Sequence, residues 1–224
     1  PFFTQASEVK RVGLVLMTAD RGLCGSFNVN LINTAVKFIR EKEAQGIEVS
    51  LVCVGRKGRD FFRRRKREML AEYADVWNKF DFSNAVTVAR ELMSAFLTGS
   101  VQEVYLIYSS FINMAIQRPR MVQLLPIQSA EAAAEAPSLE YLFEPPMEQF
   151  LEYLLPKYIN VQVYHGFLEN SASEYAARMT AMDNAQSNCK EMITSLTLVM
   201  NKARQAAITR ELMDIVGGAE ALKG

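Results

Sequence analysis

The chain has 224 residues, half of them hydrophobic, and its 25 Lys and Arg are balanced by 25 Asp and Glu. A formal net charge of zero gives no global field toward nucleic acid or an anionic membrane, so partner choice has to come from local patches. Cys24, Cys53 and Cys189 are odd in number, far apart and without metal-ligand spacing, which argues against a disulfide framework, and no apolar run approaches the roughly 18 residues of a bilayer-spanning helix.

Taken in order, the first part of the chain alternates strand and helix. Val12-Gly13-Leu14-Val15-Leu16-Met17 is a continuous apolar run of the kind buried in a parallel sheet. Helical periodicity follows over Phe27 to Gln45 and ends at Gly46, and Glu48 to Val54 reads as a second strand. Lys57 to Ala71 reads as a charged helix, Ser83 to Leu97 as another helix and Val101 to Phe111 as a long strand. This βαβαβ order predicts a Rossmann-like α/β head with helices on its sheet and right-handed crossovers. Arg120 to Ile127 is expected to add an antiparallel strand after a short turn that holds Asn113 and Pro119. Ser129 to Ser138, rich in Ala and Glu, reads as a linker or mobile loop, and Tyr141-Leu142-Phe143-Glu144 as a short extended piece before Pro145-Pro146.

The last third is the most informative. From Met147 to Ala207 an apolar seam recurs at 4-3 spacing through Leu151, Leu154, Tyr158, Val161, His165, Leu168, Ala172, Tyr175, Met179, Met182, Gln186, Cys189, Ile193, Leu196, Met200 and Ala203. Sustained over many heptads, such a stripe demands a partner helix. After Pro156 no proline intervenes, and Gly166 is the lone glycine before Gly217, so Lys157 to Val216 can run as one helix of roughly 90 Å at about 1.5 Å per residue. The chain is therefore divided into a head at 1–145 and a long helix at 146–224. Beyond Ala207 the apolar positions shift by one, to Ile208, Leu212 and Ile215, while Arg210 and Asp214 fall on the old seam. A paired helix would part from its partner there, leaving Arg204, Gln205, Thr209 and Glu211 on a lone tip open to an outside partner.

Candidate chemistry is sparse. Asp20-Arg21-Gly22-Leu23-Cys24-Gly25-Ser26 lies where a dinucleotide enzyme puts its phosphate loop, but it has neither G-x-G-x-x-G nor a P-loop Lys-Ser/Thr. A tight turn needing small residues is the plainer reading. Cys24, near a helix N-terminus, is either a thiol of lowered pKa or a buried structural cysteine. Arg63-Arg64-Arg65-Lys66-Arg67 is basic, but Glu68 and Glu72 follow and no aromatic platform interleaves, which favours a solvated face over nucleic acid. His165 is the sole histidine and sits on the seam. No catalytic constellation, cofactor site or metal site emerges.

Three stretches carry a resemblance: Thr18 to Asn28 after the first strand, Ala172 to Ala185 on the long helix, and Asn201 to Leu212 leading into Asp214 to Leu222. Together they resemble the gamma subunit of the F-type ATP synthase over the whole chain, and Tyr141 to Pro145 resembles that family's foot segment. Gln186 to Cys189 departs from the family's pattern, and the family's long N-terminal helix has no counterpart here. The resemblance implies a rotary shaft: an antiparallel coiled coil inside a ring of alpha and beta subunits, with an α/β head seated on the c ring beside epsilon, coupling proton flow to ATP synthesis. Catalysis would stay in the beta subunits. Arg204, Gln205, Thr209 and Glu211 would meet the catch loops of the catalytic subunits, and Tyr141, Phe143 and Glu144 would face the c ring and epsilon. Leu168, Tyr175, Met179, Met182, Ile193, Leu196 and Met200 would lie in the seam, covered by an N-terminal helix of the same subunit. The implied location is peripheral, on the cytoplasmic face of a bacterial inner membrane. A homodimeric coiled-coil adaptor with an α/β head is the alternative, and it explains the open seam without a further segment.

Overall fold

Every residue of strand β1 (Arg11–Met17) after Arg11 is buried, as an apolar run must be when helices cover both faces of a sheet. A computed structural model describes the chain except residues 1, 5, 7, 79, 129–143, 145 and 223. Around β1 the remaining elements follow as α1 (Phe27–Ala44), β2 (Glu48–Val54), α2 (Arg56–Arg64), β3 (Met69–Tyr73), α3 (Phe82–Leu97), β4 (Glu103–Phe111), β5 (Gln117–Leu125) and α4 (Met147–Ala221). Among the described residues the strands form one five-stranded sheet in the order β3-β2-β1-β4-β5. β1 pairs in parallel with β2 and β4, β2 in parallel with β3, and β5 is antiparallel to β4.

Because side chains alternate across a strand, β1 feeds two cores. Val12, Leu14 and Leu16 face α1, where Leu31, Ala35, Phe38 and Ile39 meet them. Val15 and Met17 face the other side, against Val88 and Leu92 of α3 and Ile159, Val163 and Phe167 of α4. Each helix is bounded by local chemistry. Gly46, at φ 78°, follows the end of α1 in the left-handed region. Asp81 caps α3 by accepting the backbone N–H groups of Ser83 and Asn84, and the Asn84 side chain returns the bond to the Asp81 N–H. Gly55, at φ 100°, packs so closely on Thr18 that an added Cβ would lie 2.0 Å from its carbonyl oxygen. No other residue fits there.

The charged helix expected over Lys57 to Ala71 is corrected. It stops at Arg64, Lys66 takes φ 55°, and Met69-Leu70-Ala71-Glu72-Tyr73 is the edge strand β3. The alternating burial of those five residues is the period of a half-covered strand, which the preceding run of charge masked. Glu72 therefore does not sit on the helix face of the basic run; its carboxylate pairs with Arg63 at 2.5 Å across the turn. Arg67 meets Glu43 at 2.8 Å and Arg65 stacks 3.6 Å over the Phe61 ring.

The long helix begins earlier than Lys157 and passes through Pro156. Glu152, whose carbonyl loses its partner to the proline, is exposed, so water can satisfy it. Division of the chain by packing gives two compact units, Pro1–Thr180 and Ala181–Gly224. That division falls within α4, because its residues from Ile159 to Ala176 contribute to the core. The linker at Ser129 to Ser138 and the foot residues Tyr141 and Phe143 lie outside the described residues. Glu144 is exposed. Among the described residues no helix is long and apolar enough to cross a membrane.

Phe167 is fully buried, with its ring 5.3 Å from that of Trp77 and 6.0 Å from that of Phe80. Phe167→Ala is expected to cost about 3 to 5 kcal/mol through lost transfer energy and the cavity left behind, read as a shift in the denaturant midpoint with little change in slope.

Candidate functional site on the long helix

Two faces of α4 carry different chemistry. The face turned to the sheet is apolar at Ile159, Val163 and Phe167, then polar at Asn170, Ser173 and Glu174, all of them buried. Gly166 lies tight against the sheet: a Cβ there would lie 3.1 Å from Cε of Met17. On the other face of the same unit Leu168, Tyr175 and Met179 are exposed, Met179 at 66%. In the second unit none of the described residues is buried. Met182, Ile193, Leu196 and Met200 are open there, with Leu196 at 61%. Met192, Leu198 and Val199 are also exposed, so apolar character in this part extends beyond the 4-3 positions. Arg204, Gln205, Thr209 and Glu211 are exposed as well, and the Thr209 hydroxyl donates back to the Gln205 carbonyl at 2.9 Å.

The polar part of the buried face meets the sheet where chain order reverses, between β1 and β4. In open α/β sheets that crevice, at the carboxyl ends of the strands, is where ligands bind. Here α4 occupies it. Asn170 Oδ1 accepts the Ser109 N–H at 3.2 Å, and the Ser173 hydroxyl donates to the Ser109 carbonyl at 3.0 Å. Glu169 accepts the Phe111 N–H at 2.8 Å and the Ser110 hydroxyl at 3.0 Å. These residues were missed in the sequence because the seam dominates the helix. Their signal was a second set of residues at i, i+3 and i+4 spacing, polar where a core stripe would be apolar.

The turn from Asp20 to Ser26 lies against the next stretch of the same helix. Leu23 and Gly25 both take positive φ, 63° and 56°, which accounts for a glycine at the second position. Asp20 Oδ1 accepts the backbone N–H groups of Arg56 and Asp75, at 2.9 and 3.2 Å, tying the ends of β1, β2 and β3 together. Arg178 donates to Glu174 at 2.6 Å and reaches the Gly22 carbonyl at 3.5 Å. Cys24 is buried, and burial and then the Glu174 charge push its thiol up. Of the two readings of Cys24, the structural one stands, since a low-pKa thiol needs the opposite environment. His165 is half exposed, edge-on to the Tyr108 ring and 3.9 Å from the Glu169 carboxylate. Among the described residues no cluster of three or more His, Cys, Asp or Glu could hold a metal ion.

A long helix with a sheet-gripping face and an open apolar face is the geometry that comparison with known proteins has to explain. A family model described as ATP synthase matches residues 1–222. The ATP synthase gamma chain of Nitratidesulfovibrio vulgaris Hildenborough is 51% identical over 226 residues, covering all of this chain and 78% of the relative. This chain belongs to the ATP synthase gamma-chain family. The gamma chain of Syntrophobacter fumaroxidans is likewise 51% identical, over 98% of this chain and 76% of its own length. Among solved structures, the mitochondrial ATP synthase central stalk and c ring of Tetrahymena thermophila has a similar chain, 25% identical, with a TM-score of 0.63 over 81% of this chain and 79% of that one. A chain of the Euglena gracilis mitochondrial ATP synthase matches at a TM-score of 0.70 and 21% identity over 98% of this chain and 77% of that one, a likeness of fold. A five-stranded α/β sheet followed by a long C-terminal helix is thus the architecture of a gamma-chain family member.

Glu174 is 5% exposed, and its pKa is raised chiefly by desolvation, with the Arg178 bond and charge opposing and Asp20 adding to the rise. A raised carboxylate pKa means that the folded chain holds the proton more tightly than the unfolded one, so this group's contribution is most favourable at low pH and declines as pH rises above 4.5. Glu174→Gln, which keeps an acceptor for Arg178 and cannot ionise, is expected to gain on the parent as pH increases from that value toward neutrality. Unfolding midpoints of both proteins across that range test this, and parallel pH profiles would contradict it.

Proposed function

We infer that this chain is the central rotary shaft of a proton-translocating F-type ATP synthase, coupling proton flow through the membrane rotor to ATP synthesis and hydrolysis in the surrounding ring. The observation that carries this reading is about 50% identity with gamma chains across the full chain, joined to a helix of 75 residues whose apolar face is open. The same observations favour the shaft over a homodimeric adaptor, since the relatives named gamma chain account for head and helix together.

A shaft needs stiffness and asymmetry. A continuous helix reinforced by a partner along its seam resists twisting, and an asymmetric surface turned past equivalent sites biases each one differently, provided that its contacts differ among their states. Residues Leu168, Tyr175, Met179, Met182, Ile193, Leu196 and Met200 are proposed to pack against an antiparallel helix, supplied by the same subunit. Arg204, Gln205, Thr209 and Glu211 are proposed to meet the catch loops of the catalytic subunits. Alpha and beta subunits would surround the helix, while the foot, including Tyr141, Phe143 and Glu144, would face the c ring and epsilon. The chain would do no bond-making of its own, and it would sit peripherally on the cytoplasmic face of a bacterial inner membrane. Head at 1–145 and helix at 146–224 is the proposed functional division.

Reconstitution of the full subunit with alpha and beta subunits tests the reading, and failure to support rotation would overturn it. In that complex Leu196→Ala is expected to cost about 2 to 5 kcal/mol if the seam is packed like a core, read as a lowered melting temperature.

Arg204→Lys and Gln205→Leu are expected to leave subunit stoichiometry intact, because exposed polar substitutions cost little stability, but to lower ATP hydrolysis and proton-driven synthesis together. Lysine cannot reproduce a bidentate guanidinium contact. Normal turnover in both variants would show that the tip works by shape alone.

A further inference from the structure

The ladder between β1 and β4 ends at Leu16↔Ile107, but β4 runs on to Phe111. Past that point the backbone groups of Ser109 and Phe111 that point away from β5 have no strand to bond. Side chains of α4 take the place of the strand: Asn170 and Ser173 bond both backbone groups of Ser109, and Glu169 bonds the Phe111 N–H and the Ser110 hydroxyl. Asn170 and Ser173 are completely buried.

Apolar packing at Ile159, Val163 and Phe167 holds the helix down but is non-directional, so it resists rolling about the helix axis only through shape. Hydrogen bonds are directional and weaken steeply off axis. A roll by one residue, about 100° on a helix, would break all four bonds and strand the buried groups of Ser109 and Asn170. The unpaired buried groups, more than the bonds themselves, make that roll unfavourable.

We propose that Glu169, Asn170 and Ser173 are the positioning residues of a rotational lock, gripping Ser109 to Phe111 of β4 so that torque passes between the head and the long helix without twist. The proposal rests on the shaft reading and adds to it the place where head and helix are keyed. It predicts that the lock governs torsional stiffness rather than assembly or the chemistry in the ring.

The test uses the assembled ATP synthase with its rotor ring immobilised and a probe on the ring-enclosed tip of the shaft. In the stalled enzyme the angular variance of the probe reports stiffness. With Glu169→Ala combined with Ser173→Ala, subunit stoichiometry and unloaded ATP hydrolysis are expected to stay at the level of the parent. Angular variance should rise about twofold, from loss of the directional bonds, and synthesis against a proton-motive load should fall. Glu169→Gln keeps an acceptor for the Phe111 N–H and is expected to restore the variance of the parent. Unchanged variance in the assembled double variant would overturn the lock. If the double variant does not assemble, Glu169→Ala alone takes its place, with amide exchange at Phe111, whose N–H the Glu169 carboxylate accepts, in the intact complex as a second readout; unaltered exchange and variance would overturn the lock equally. A parent enzyme that assembles but does not rotate would instead overturn the shaft reading, and the lock with it.

Discussion

Everything distinctive in this molecule depends on the seating of α4 at the carboxyl ends of β1 and β4. The sheet reverses its winding there, and an α/β domain of this order ordinarily leaves a crevice at that point. Filling it with Gly166, Phe167, Asn170 and Ser173 converts a potential ligand site into a socket for a helix. A small residue suits position 166, since a Cβ there would lie 3.1 Å from Cε of Met17 and the Met17 side chain would have to give way by a few tenths of an ångström. Polar residues are needed immediately after, because β4 extends beyond the end of β1 and its backbone must be bonded when buried.

The two faces of α4 then separate anchoring from partnership. Residues that hold it to the sheet occupy one stripe, and the apolar positions at 4-3 spacing occupy another that stays open. We propose that an antiparallel helix covers that stripe, since a contiguous apolar area of this size is seldom left in water. The turn from Asp20 to Ser26 is tied to the same helix through Arg178, which donates to the Gly22 carbonyl, and its Gly25 serves a left-handed turn. The same turn is held at its base by Asp20, which bonds the chain after β2 and after β3. Helix, turn and three strand ends are therefore one connected network.

Periodicity made much of this legible. Val12 to Met17, Phe27 onward, Glu48 to Val54 and the long helix follow from the spacing, length and flanking residues of their apolar runs, and the open seam followed from 4-3 spacing over many turns. Exposure of Leu196 and Met200 is the structural counterpart of that pattern. Strand β3 was hidden, because Met69 to Tyr73 is short, half covered and preceded by five basic residues, so local charge spoke louder than a period-2 alternation. Pro156 falls inside the helix set at 146–224, and a helix with its neighbouring carbonyl in water can pass through it.

What the sequence determined alone is the order of elements apart from β3, the open apolar stripe of the long helix and, by resemblance in three stretches, the family. Those properties are written in spacing and in local residue identity, which do not depend on where distant segments meet. Which face of α4 lies on the sheet, and that Glu169, Asn170 and Ser173 bond the end of β4, was decided by tertiary structure. The reason is geometric: the orphaned backbone of Ser109 exists only because β1 stops two residues short of it in the ladder, a mismatch of lengths between strands far apart in sequence that no local pattern records.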